Sequence, residues 1–197
     1  MNITLNDSNT QEPNTVHPKK FIVWLLIIAI VMLFAGLTSA YLVRMGEGNW
    51  YTFTLPKQFL FSTITVVMSS ITMWWAYRSA KTDEIVQLKT ALILTLILGI
   101  GFCYLQLAGW KAMNALSLFF ADDANGNKIS ASFIYALSGL HLAHILGGII
   151  FLIILVFKAF MAKVHKKNLL SINMCNTYWH FVGILWVYLY LFFYFAH

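Results

Sequence analysis

The chain has 197 residues, 60% of them hydrophobic and 10% charged, where soluble domains carry about 25% charged residues. That composition excludes a water-soluble globular domain and predicts a membrane protein. The net charge of +6 does not point to nucleic acid, because Lys and Arg gather at the ends of apolar runs, where membrane topology is set.

Met1 to Pro18 is polar, rich in Asn and Thr, and has no apolar run. It reads as a disordered cytoplasmic tail, not a signal peptide. Residues 19–197 are expected to form a single all-α membrane domain, a polytopic bundle of five transmembrane helices. The apolar runs cover about 21–43, 59–77, 90–110, 131–157 and 174–196, each long enough to cross ~30 Å of hydrocarbon at ~1.5 Å per residue. The connections are too short for a soluble domain. Nine of the thirteen basic residues fall in the tail and the second and fourth loops. This predicts a cytoplasmic N-terminus and an outer, periplasmic C-terminus.

Span one carries Ala35/Ser39 and Gly36/Ala40, small residues four apart, a helix-packing pattern. Span two holds Ser62, Thr63, Thr65, Ser69, Ser70 and Thr72, whose hydroxyls can bond to their own helix or to a neighbour. Span three has one strongly polar side chain, Gln106, near its outer end, expected to bond to another helix, a lipid or water. Cys103 and Cys175 have no CxxC spacing and give neither a disulfide framework nor a metal site.

Span four contains Ser138-Gly139-Leu140-His141-Leu142-Ala143-His144-Ile145-Leu146-Gly147-Gly148. His141 and His144 are three apart and share a helix face. Gly139, Ala143 and Gly147 form a small-residue stripe roughly 130° away, suited to close helix packing. An imidazole in hydrocarbon needs partners. Two readings follow, a haem or metal site and interhelical hydrogen bonding. In span five, Asn176, Trp179, Gly183, Trp186, Tyr190 and Tyr194 fall on one face, read as a packing surface open to another subunit. His180 lies about 9 Å above the inner end of that span by rise alone, at a depth that makes it the natural partner for the histidine pair.

A haem needs ligands facing one another across a cavity. His141 and His144 on one turn cannot provide that, but His180 opposite either could, so a di-histidine b-haem carrier is a second reading. A small transporter is disfavoured, because no span has an interior proline or a mid-membrane acid.

Taken together, Ser138-Gly139-Leu140-His141-Leu142-Ala143-His144 with Gly147, Tyr178-Trp179-His180-Phe181-Val182 with Trp186, and Leu98-Gly99 to Gln106 resemble subunit III of haem-copper terminal oxidases. The likeness runs from about Phe21 to Ala196 and fits the short five-helix bacterial form, the last five of the family's seven helices. The resemblance implies a non-redox subunit of a respiratory cytochrome c oxidase in the bacterial inner membrane. Such a subunit binds catalytic subunit I, stabilises it and supports its proton uptake during oxygen reduction. It implies no catalytic, metal or cofactor-binding residue in this chain. Haem and copper are expected in partner subunits, phospholipid in a cleft, and subunit II, other subunits of the complex or supercomplex and membrane lipids as further partners. A companion of a quinol oxidase or nitric-oxide reductase is the alternative within the family. His141, His144, His180 and Gln106 carry over as structural or lipid-cleft residues. Gly36, Ala40, Gly139, Ala143 and Gly147 are expected to pack helices. Where the family has membrane acids, this chain has Ile30, Gly109 and Gly183.

Overall fold

The computed structural model describes residues 18–46, 55–115, 129–161 and 169–196. They form α1 (Pro18–Met45), α2 (Lys57–Lys81), α3 (Ile85–Ala115), α4 (Ile129–Phe160) and α5 (Leu170–Phe195), with no strand among them. Of the expected tail, residues 1–18, the first seventeen lie outside the described residues and Pro18 opens α1; His165 and His197 also lie outside the described residues. All five helices are long and apolar enough to span a membrane. Helix is the form this composition dictates, because hydrocarbon offers backbone N–H and C=O groups no partners outside their own segment.

Each helix overruns its apolar run by a few residues at one or both ends, as α2 does through Arg78, Ser79, Ala80 and Lys81. The helical hydrogen-bond ladder outlasts the hydrocarbon, since good helix formers carry it into the headgroup layer. Between α2 and α3 the chain turns within Thr82, Asp83 and Glu84. Asp83 takes a left-handed φ of 60°. The Glu84 amide then reaches the Ser79 carbonyl at 3.0 Å, closing a Schellman-type cap. So tight a turn forces α2 and α3 to lie antiparallel and adjacent, and they share the most extensive interface. Helix α5 packs against α1, α2 and α4, whereas α1 touches only α4 and α5 and so stands at the edge.

The core is mostly apolar, yet it is not set apart from the outer surface by hydrophobicity. Large aliphatic side chains point outward, with Val86 78% and Ile184 69% exposed. The interior holds Ser62, Ser69, Thr72, Thr95, Ser138, Gln106 and His141 among tryptophan and phenylalanine rings. Lipid tails are as apolar as leucine, so packing and hydrogen bonds, not exclusion from water, decide which face turns inward.

Candidate functional site

The interior is knit by one recurring device. A hydroxyl has one donor and two acceptor lone pairs. Along α2, Ser62, Thr63 and Ser69 each donate to a carbonyl of their own helix and accept from a neighbouring helix. Ser69 donates to the Val66 carbonyl at 2.8 Å and accepts the indole N–H of Trp179 at 3.1 Å. Thr63 donates to the Phe59 carbonyl at 2.8 Å and accepts the Trp186 N–H at 3.1 Å. Ser62 donates to the same carbonyl at 2.8 Å and accepts the Gln106 side-chain amide at 3.0 Å. Further in, Thr72 and Thr95 join α2 to α3 at 2.8 Å. On α4, Ser138 accepts the Trp110 N–H at 3.0 Å.

Glycines make room for the indoles. A Cβ at Gly99 would stand 2.9 Å from the Trp179 ring, and one at Gly148 would stand 3.1 Å from Tyr178 and 3.4 Å from Trp179. Trp179 is therefore wedged between α3 and α4. Of the positions where the family resemblance places acids, Ile30 is buried, Gly109 lies against Phe59, and a Cβ at Gly183 would come within 2.9 Å of the Ser70 hydroxyl. Neighbouring side chains occupy the space a carboxylate at either glycine would need.

His141 is fully buried. Its ring centroid lies 5.1 Å from that of Trp186, tilted by 33°, and 5.9 Å and 6.4 Å from those of Phe102 and Phe34. Neither ring nitrogen has a hydrogen-bond partner among the described residues. His144, on the same face and half-buried, is set differently. Its Nδ1 lies 2.8 Å from the Leu140 carbonyl, which can only accept, so Nδ1 carries the proton. The backbone carbonyl of His144 accepts the Tyr178 hydroxyl at 3.0 Å, joining α4 to α5. His180 is half-buried, and no hydrogen bond joins it to His141 or His144 among the described residues. Trp186, not His180, is the α5 group that meets His141. Gln106 ties α3 to α2.

The small-residue positions divide. Gly139 lies 3.7 Å, by its built Cβ, from Trp110, but Ala143 and Gly147 are exposed. Gly36 and Ala40 are also exposed, with nothing within 4 Å of a Cβ at Gly36. The close approaches inside the chain fall at Gly99, Gly109 and Gly148, which sequence reasoning did not select as packing positions, and at Gly183, which it placed on the α5 packing stripe. For Gly99 and Gly148 the signal was the Tyr178-Trp179 pair of α5, since the rings of these two residues make the close approaches there. The one-face stripe of α5 packs largely within the chain, with Trp179, Gly183 and Trp186 buried against α2 and its neighbours, while Tyr194 is exposed.

Among the described residues, no three His, Cys, Asp or Glu side chains cluster as a metal site. The class these features define is a polytopic helical membrane protein whose buried polar groups serve helix contact. The cytochrome c oxidase subunit III family model matches residues 14–197. The probable cytochrome c oxidase subunit 3 of Mycobacterium tuberculosis is 28% identical over 198 residues, 98% of this chain and 94% of that protein. That of Rickettsia bellii is 33% identical over 135 residues, 68% of this chain and 46% of that protein. Cytochrome c oxidase subunit 3 of Spodoptera frugiperda is 27% identical over 132 residues, covering 67% and 84% respectively. The chain spans about half the length of several relatives it matches and nearly all of the mycobacterial one. The chain belongs to the cytochrome c oxidase subunit III family, the non-catalytic third subunits of haem-copper oxidases.

Proposed function

We propose that this chain binds the haem-bearing subunit I of a cytochrome c oxidase in a bacterial inner membrane, stabilises it during turnover and supports its proton uptake. Haem and copper then belong to partner subunits, and phospholipid fills the outer grooves of this one. The observation that carries the reading is the family match along almost the whole chain, residues 14–197. The interior supports it: its hydroxyls are tied to helix carbonyls, indoles and the Gln106 amide, joining the helices into one bundle.

Replacing His141 by leucine tests the reading. The substitution removes ring contacts worth roughly 0.5–1.5 kcal/mol per aromatic pair, against Trp186, Phe102 and Phe34. The electron carriers lie elsewhere, so initial oxygen uptake per haem should stay near that of the wild type. The amount of this chain retained by the purified oxidase, or the number of turnovers before activity decays, should fall about two- to tenfold, the ratio equivalent to one such contact. Full retention and full lifetime with an immediate collapse of the initial rate would place His141 in the chemistry instead.

Topology has a separate test. Nine basic residues on one side against four on the other lead us to expect the N-terminus in the cytoplasm. Single cysteines at positions 9 and 125, in a chain without its native thiols, are to be treated with an impermeant reagent on whole cells. Labelling at 125 alone is expected; labelling at 9 alone would reverse the orientation.

A further inference from the structure

We propose that the bundle holds internal water, bound to the Oε1 atom of Gln106 and to the ring nitrogens of His141. Both side chains are fully buried. Gln106 uses its amide N–H on Ser62, but its carbonyl oxygen, like both nitrogens of His141, has no partner among the described residues. A buried polar atom without a partner is costly, and more so in a low-dielectric interior with no other polar group to turn to. Native proteins leave few such atoms, and ordered water commonly supplies the missing bond.

The two residues belong to one region of the core. The Phe102 ring, one helical turn from Gln106 on α3, lies 5.9 Å from the His141 ring. Trp186 packs against His141 at 5.1 Å and donates to Thr63, next in sequence to the Ser62 that holds Gln106.

The chemistry of the three atoms selects the ligand. The Gln106 carbonyl accepts only, and a neutral imidazole presents one donor and one acceptor. Water donates twice and accepts twice, so it meets all three requirements. A metal cation would meet an amide oxygen and imidazole with no carboxylate or thiolate to balance its charge; no such cluster occurs among the described residues. Gln106 and His141 are both fully buried, so a lipid on the outer surface of the bundle does not reach them. The inference does not depend on which complex the chain joins.

The test is a density map of the purified complex containing this chain, at a resolution where ordered water is seen elsewhere in the same complex. Peaks within hydrogen-bond distance of Gln106 Oε1 and of a His141 ring nitrogen are expected. Well-resolved side chains with no such peaks would overturn the proposal. Infrared spectra in ¹⁸O-enriched water provide a second reading. The wild type minus Gln106→Met difference should contain an O–H stretching band that shifts with the isotope. If it contains none, with the variant assembled as the wild type, water is not held there. Should Gln106→Met fail to assemble, the wild-type map alone decides.

Discussion

Replacing Trp186 by alanine is expected to strip the membrane of most of this chain. Trp186 is fully buried. It contacts Phe59 at 6.1 Å, Phe102 at 5.3 Å and His141 at 5.1 Å between ring centroids, and donates its N–H to Thr63 at 3.1 Å. Truncating a core tryptophan to alanine costs about 3–5 kcal/mol in soluble proteins. Part of that is transfer from water, which is small where the alternative is lipid; the lost packing and the cavity remain. The hydrogen bond adds roughly 0.6–2 kcal/mol. Thr63 is not stranded, because it still donates to the Phe59 carbonyl. Trp186→Phe keeps most of the ring contact and loses only the N–H, so it should assemble with a modestly lowered thermal midpoint. Immunoblots of membranes, followed by thermal inactivation of the purified complex, check both variants. Wild-type abundance for Trp186→Ala would show that this contact does not hold the bundle.

Gly99→Val should be nearly as damaging, for the opposite reason. A Cβ there stands 2.9 Å from the Trp179 ring, which is held at its N–H by the Ser69 hydroxyl and bounded at its opposite edge by Gly148. An indole fixed in this way cannot retreat without breaking its hydrogen bond. Overpacking of this kind costs about 1–3 kcal/mol, and valine brings two further carbons. Gly36→Val is the control within the same chain, because a Cβ at Gly36 meets nothing within 4 Å. In the isolated subunit the first substitution should lower the thermal midpoint and the second leave it nearly unchanged. Equal midpoints would mean that the indole is not wedged at Gly99.

Much of this architecture is legible in the chain itself. The apolar runs mark five helices to within a few residues at each end, since a spanning segment must be both apolar and internally hydrogen-bonded. Gln106 is visible as the one strongly polar side chain in span three. Which faces turn inward is harder to read. In a soluble helix the apolar stripe marks the core, but here the lipid-facing side is equally apolar. Gly147 and Gly148 are adjacent in sequence, and only the packing of Tyr178 and Trp179 over Gly148 separates the inward glycine from the outward one. The same holds for His180: rise alone sets it near the depth of His141, yet the α5 group that reaches His141 is Trp186, six positions further along. The indole-to-hydroxyl bonds of Trp179 and Trp186 join residues more than a hundred positions apart, and no local spacing encodes such a pair.

The measurement that bears most directly on this account is affinity purification through this chain, in mild detergent, from membranes of cells respiring aerobically. We predict that a haem-bearing subunit I co-purifies in stoichiometric amount, that oxygen uptake accompanies it, and that this chain, once separated and still folded, has no visible haem absorption. Stoichiometric haem in the separated chain, or a preparation in which no haem-bearing subunit accompanies it, would contradict the assignment of a non-redox subunit that works by binding the catalytic one.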